Sequence, residues 1–218
     1  MGLYLNLRNQ PGKFIVLVGP DGSGKTTISN ILIENYKKVF FSARLYHFNF
    51  KLFPRLNNLK FSKTKDPDYT LPNSGTNAKI QTSFRSTIYT IYYGLELVIT
   101  SNLMGRKLVS DGCLLIFDRY LHDYFFQRSY RKTPTRILKF FLKLCYKPDI
   151  IIFLEGDPKS INKRKNELSS NEINTQQNLI KNKLLPYWRS QKVTIISFNT
   201  TANQPDSILS ILEKNLIQ

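Results

Sequence analysis

The sequence predicts an α/β protein. The expected architecture is a three-layer sandwich: a parallel sheet of about five strands with helices on both faces. Three observations carry this reading. Short, wholly apolar runs alternate with longer stretches of helical spacing. The apolar runs lack polar alternation, as strands buried on both faces do. A glycine-rich turn joins the first apolar run directly to the first helical stretch.

The elements follow in order. Phe14-Ile15-Val16-Leu17-Val18 is β-branched and short, a strand over 13–18. Ile28, Ile31 and Leu32 place a helix over 25–38. A short strand is expected from Phe40 to Tyr46, and the prolines at 54, 67 and 72 make Phe48 to Asn77 a long loop. Ile88, Ile91, Tyr92, Leu95, Val98 and Ile99 recur at helical spacing within a helix over 79–107. Gly112 breaks the chain before the buried strand Cys113 to Phe117, which ends in Asp118-Arg119-Tyr120. A helix over 134–146 leads through Pro148 to the strand Ile150 to Leu154. Basic helices over 157–167 and 172–189, a strand from Val193 to Phe198 and a helix over 204–216 complete the chain. No repeat and no linker divides it, so residues 1–218 are read as one domain, with a basic stretch at about 157–172.

The glycine turn carries the chemistry. Gly19-Pro20-Asp21-Gly22-Ser23-Gly24-Lys25-Thr26-Thr27 matches G-x-x-x-x-G-K-[ST] between a strand and a helix, the context a phosphate-binding P-loop requires. Glycines let successive backbone N–H groups turn inward onto phosphate oxygens, and the helix N-terminus adds positive potential. In this motif Lys25 reaches the β- and γ-phosphates of ATP, and the Thr26 hydroxyl ligates Mg²⁺. Asp118 closes an apolar strand, where α/β sheets place their ligands and where P-loop proteins carry a second Mg²⁺-binding group. Arg119 is next to it.

The composition bounds the partners. Against 15 Asp and Glu stand 32 Lys and Arg, a net charge of +17 that attracts anions. Cys113 and Cys145 lie in apolar stretches and read as small core residues in a reducing compartment. The sequence shows no secretory signal, and position 6 is Asn6 where a myristoylation signal has Ser or Thr. The longest apolar candidate span, Ile80 to Met104, is interrupted by Arg85 and Glu96, so no transmembrane helix is expected and the protein is placed in the cytoplasm. The basic amphipathic run from Arg136 to Lys143 is expected to pack on the sheet, with contact to a membrane surface as the alternative.

GPDGSGKTT together with Asp118-Arg119-Tyr120 after an apolar strand resembles thymidylate kinase and its relatives, P-loop kinases of nucleoside monophosphates. The segment PDIIIFLEGDPKSINKRK resembles the family's fourth strand, acidic residue, Pro and basic lid, and the likeness spans roughly 13–215. It implies ATP and Mg²⁺ as cofactors, held by Gly19 and the residues Asp21 through Thr27 of the loop. By the same resemblance Asp21 lies near the acceptor, Asp118 organises the metal, and Arg119 contacts the acceptor side. Lys163, Arg164 and Lys165 sit on the closing lid; Arg164 is preferred because guanidinium grips phosphate bidentately. The resemblance also implies a homodimer packed through helices, with the long helix the first suspect.

The chain departs from the family pattern. The Arg-x-Pro-Gly-type acceptor segment is absent; SARLYHFNFKLFPRLNN stands there. Glu96 falls where the family has an arginine for the acceptor phosphate. These changes resemble a divergent branch of thymidylate-kinase-like proteins associated with surface polysaccharides. Arg44 and His47 end the second strand on the acceptor side, and Arg85, Tyr92 and Tyr93 on the long helix are further candidates for the acceptor pocket.

Three readings stand at this point. A kinase would pass the γ-phosphoryl of ATP to dTMP or a related nucleoside monophosphate, as the resemblance implies. A kinase of a nucleoside or sugar hydroxyl fits the departures. A non-catalytic nucleotide or nucleic-acid binder fits the charge, but the joint retention of Lys25, Thr26 and Asp118, and the lack of an RNP-type aromatic strand, argue against it.

Overall fold

A computed structural model describes residues 11–47, 53–54 and 83–216 of the chain. Among these the strands are β1 (Lys13–Val18), β2 (Ser42–His47), β3 (Cys113–Arg119), β4 (Ile150–Glu155) and β5 (Thr194–Asn199). They form one sheet in the order β2-β3-β1-β4-β5 with every pair parallel. Parallel strands need crossovers, and here helices supply them on both faces.

The helices are α1 (Lys25–Tyr36), α2 (Ser83–Thr100), α3 (Thr135–Leu144), α4 (Pro158–Arg164), α5 (Ser170–Leu179) and α6 (Ile208–Leu216). The pleat sorts the strand residues between two cores. Ile15, Leu17, Leu114, Ile116 and Ile152 face α1 and α6. Phe14, Val16, Leu115, Phe117 and Phe153 face α2, α3 and the continuation of α5. Each such side chain, removed from water, stabilises the fold by about 2 kcal/mol.

Several boundaries differ from the sequence reading, each for a local reason. α2 does not stop at 107: it passes through a wide turn at Ser101–Gly105 into a last helical stretch at Arg106–Ser110. α5 likewise runs through Ile180–Leu184 into Leu185–Ser190. β2 starts at Ser42 because Val39 and Phe40 are buried in the turn that follows α1. Two 3₁₀ turns, Leu121–Phe125 and Arg128–Tyr130, fill the stretch after β3 that the periodicity leaves unassigned. α6 starts only at Ile208, after a single 3₁₀ turn opened by Pro205. The expected loop from Phe48 to Asn77 lies outside the described residues except for Phe53 and Pro54.

The amphipathic run Arg136 to Lys143 forms most of α3 and buries Leu138, Phe141 and Leu142. It packs on α2 as well as toward the sheet: a Cβ on Gly94 would come within 2.8 Å of the Phe141 ring, so glycine is what lets the two helices approach. Both cysteines are buried with free thiols. Among the described residues no helix is long and apolar enough to cross a membrane.

Candidate active site

The glycine-rich loop lies at the C-terminal end of β1, where the chain turns to opposite sides of the sheet to reach β3 and β4. Gly22 and Gly24 hold φ values of +86° and +90°, a backbone region that side chains with a Cβ avoid. Gly24 caps α1, whose first turn contains no acid. The helix N-terminus therefore keeps its positive potential toward the loop.

Lys25 is folded onto its own loop. Its Nζ donates to the Gly19 carbonyl at 2.7 Å and the Pro20 carbonyl at 2.9 Å, and lies 3.5 Å from Asp21 Oδ1. Burial lowers its pKa, against the pull of the Asp21 carboxylate. Ser23 Oγ is buried in the loop without a hydrogen-bond partner.

The end of β3 supplies the opposite wall. Asp118 Oδ2 lies 2.6 Å from His47 Nδ1 at the end of β2, while Asp118 Oδ1 is buried with no partner. Arg119 Nη2 donates to Asp21 Oδ1 at 2.6 Å, tying β3 to the loop. Burial alone would lower the Arg119 pKa, but the carboxylates of Asp21, Asp123 and Asp118 outweigh it and raise the value above the ordinary one.

A cavity of about 730 Å³ opens over these groups, within the usual size for a small-molecule site. It is lined by Asp21, Gly22, Gly24, Lys25, Thr26 and Thr27 of the loop and the start of α1, by Asp118 and Arg119 at the end of β3, by Arg164 and Lys165 at the end of α4, and by Thr200 to Pro205 after β5. Arg164 is held by Thr200, donating from Nη2 to its carbonyl at 2.7 Å and from Nη1 to its hydroxyl at 3.3 Å. α4 and α5 form a helical pair with its own small core of Ile161, Leu168 and Ile173. It touches the loop at Gly22, where an added Cβ would stand 3.1 Å from the Ile161 carbonyl.

The structure does not bring every candidate to this cavity. Gly19 and Ser23 lie in the loop but do not line it, and Lys163 is exposed on α4 away from it. Arg44 is exposed on β2 in register with Leu115, three residues before Asp118, or about 10 Å along the strand. Arg85 is exposed and stacks over Tyr89 at 5.8 Å. Tyr92 and Glu96 hold the segment after β2 instead: Tyr92 OH donates to the Pro54 carbonyl at 2.7 Å, and the fully buried Glu96 accepts the Phe53 N–H at 3.1 Å.

Two features escape the sequence reading. The Thr200 to Pro205 wall follows from the rule that ligands sit at strand ends, had it been applied to β5. Asp123 is 3% exposed in the first 3₁₀ turn, and burial pushes its pKa up to about 7 in spite of Arg119 and Lys25. An acid within the aromatic run Leu121 to Phe126 was the available signal. Its neighbour His122 is wholly buried and pushed down to about 3 by burial, hence neutral.

The strand order and the phosphate loop after β1 define a P-loop α/β protein. More particularly, this is the fold of thymidylate kinases. The thymidylate kinase of Candida albicans superposes with a TM-score of 0.62 at 21% identity, over 94% of this chain and 92% of that one. The thymidylate kinase of Ehrlichia chaffeensis does so at 0.56 and 14% identity, over 96% of this chain and 100% of that one. No family model and no curated protein matches the sequence.

Proposed function

We propose that this chain is an ATP- and Mg²⁺-dependent phosphotransferase that passes the γ-phosphoryl group of ATP to a small acceptor. One observation carries the reading: Lys25, Thr26, Asp118, Arg119 and Arg164, from three separate elements of the chain, line one cavity.

The residues suit a magnesium nucleotide. The loop offers inward N–H groups at two positive-φ glycines, and the buried Ser23 Oγ and Asp118 Oδ1 lack donors or ligands of their own. Thr26 and Asp118 would hold Mg²⁺, which supplies charge neutralisation on the phosphates. Lys25 would leave the Gly19 and Pro20 carbonyls for the phosphate oxygens, a gain because charge-assisted bonds to phosphate are stronger than bonds to neutral carbonyls. Arg164 and Lys165 add positive charge from the lid and shed water from the cavity. In the transfer the acceptor oxygen bonds to the γ-phosphorus and the bond to the β,γ-bridging oxygen breaks. ADP takes that electron pair; a hydroxyl acceptor releases its proton, whereas a phosphate dianion has none to release.

The structural likeness points to dTMP or a related nucleoside monophosphate as acceptor. A hydroxyl acceptor, on a nucleoside or a sugar, is favoured by the engagement of Arg119 with Asp21, which occupies one of the two guanidinium groups lining the cavity. Phe84, Ile88, Ile91, Leu95, Ile99 and Leu103 form one exposed stripe along α2 and its extension. Such a stripe suits a homodimer packed helix to helix; sedimentation of the wild type and Leu95→Asp tests it, a dimer being expected only for the former.

The decisive assay is ADP release from Mg²⁺-ATP with dTMP, other nucleoside monophosphates, nucleosides and neutral sugars, with Lys25→Ala as control. Acceptor-dependent turnover that disappears in the control supports the proposal. Failure of the wild type to bind ATP overturns it.

A further inference from the structure

Arg164 is the last residue of α4 and is exposed. A long side chain in that setting samples many rotamers in water, and holding it in one of them costs entropy. Here it is held. Nη2 donates to the Thr200 carbonyl at 2.7 Å and Nη1 to the Thr200 hydroxyl at 3.3 Å. Lys165, the other cation that the end of α4 brings to the cavity lining, is turned to Glu167 at 3.2 Å.

Thr200 is fixed in its turn. Its N–H and its hydroxyl both donate to the Glu155 carbonyl, at 2.8 Å and 3.2 Å. The hydroxyl proton is thereby committed to Glu155, and the oxygen lone pairs face Arg164 as acceptors. The Thr200 methyl lies toward the glycine-rich loop, where a Cβ added to Gly24 would stand 3.9 Å from it. Two heavy atoms on Cβ restrict the rotamer, so the methyl contact and the hydroxyl bonds fix each other. The next residue ties down the start of the same helix. Thr201 Oγ1 accepts the Asp157 N–H at 3.0 Å and donates to Asn199 Oδ1 at 2.8 Å. Both ends of α4 are thus bonded to one dipeptide that follows β5, and that dipeptide adjoins the loop.

A guanidinium carries more N–H donors than the two that Thr200 accepts, so this hold does not exhaust its capacity to bind a nucleotide. A cation set in place before the ligand arrives spares the complex the ordering cost that a free side chain would incur.

We propose that Thr200 is a positioning residue, whose hydroxyl holds the Arg164 guanidinium at the cavity beside the glycine-rich loop, ready for the nucleotide. The proposal rests on the phosphotransferase reading given above and adds to its grip on ATP a residue that acts through another.

Calorimetric titration of the full chain with Mg²⁺ and a non-hydrolysable ATP analogue tests it. Thr200→Val keeps the methyl and the backbone carbonyl and removes the hydroxyl. It is expected to weaken binding by about three- to tenfold, the range of one net hydrogen bond. Thr200→Ser keeps the hydroxyl and is expected to stay within about twofold of wild type. Arg164→Lys leaves Thr200 intact but cannot fork, and is expected to lose at least as much as Thr200→Val. In an Arg164→Ala background Thr200→Val is expected to cost nothing further, because the hydroxyl acts only through the guanidinium. A Thr200→Val variant that binds like wild type, or whose loss persists in full without the arginine, overturns the proposal. So does a serine variant that binds as weakly as valine, or an Arg164→Lys variant that binds like wild type. Failure of the wild type to bind the analogue brings down the phosphotransferase reading itself.

Discussion

His47 Nδ1 and Asp118 Oδ2 meet at 2.6 Å across the C-terminal ends of β2 and β3. The contact couples the edge strand to the strand that lines the cavity, and it leaves the other Asp118 oxygen buried without a partner. Asp118→Asn removes the charge that would face the metal; turnover is expected to fall by about 10²-fold or more. His47→Ala removes only the orienting partner and is expected to cost about tenfold. Steady-state kinetics with varied Mg²⁺ separates them: the first substitution weakens the Mg²⁺ dependence directly, the second lowers kcat at saturating Mg²⁺.

Lys25 donates to two loop carbonyls and sits beside Asp21. Lys25→Ala is expected to reduce turnover by about 10²- to 10³-fold and to weaken ATP binding. Lys25→Arg is not a rescue, because a forked guanidinium does not fit a loop shaped for a point charge. Titration with a fluorescent ATP analogue reads both variants.

Asp123 gives a pH signature. Its pKa rises from 3.8 to about 7 on folding, so between those values the folded chain keeps a proton that the unfolded chain releases. This contribution is complete below pH 3.8, is lost as pH climbs toward 7, and stays lost above it. Asp123→Asn is therefore expected to leave Tm nearly unchanged at pH 4 and to raise it by about 3 °C or more at pH 8. Thermal unfolding at the two pH values checks the sign.

Gly22 combines a φ of +86° with close contact to Ile161 of α4. Gly22→Ala is expected to cost about 1–2 kcal/mol in backbone strain alone and to push α4 away from the loop. A lower Tm together with a raised KM for ATP is the expected pair of observations.

Much of this was legible in the chain. The glycine loop between a strand and a helix fixed the cradle, and the runs at 14–18, 113–117 and 150–154 fixed the central strands, because residues buried on both faces leave an unbroken apolar record. Asp118 and Arg119 close the apolar strand at 113–117, and the fold brings them into one cavity lining with Arg164. What was not legible depends on contacts between distant segments. Glu96 falls on the right helix, but only the fold shows that it accepts the Phe53 N–H. Arg44 shares a strand with His47 yet lies down the sheet from the cavity, a difference that register alone decides. The engagement of Arg119 with Asp21 joins residues 98 positions apart, and no periodicity reports it.

The sheet order has a consequence for how such a chain diversifies. The cradle hangs on β1 and β3, which are enclosed on both sides, whereas His47 and Arg44 ride on β2, an edge strand whose residues are half-buried or exposed. Substitutions along that margin, and in the segment leaving it, disturb few of the interior contacts that hold the loop in shape. The margin of the sheet and the loop at its centre are thereby mounted on separate supports, and a lineage is able to exchange one while inheriting the other intact.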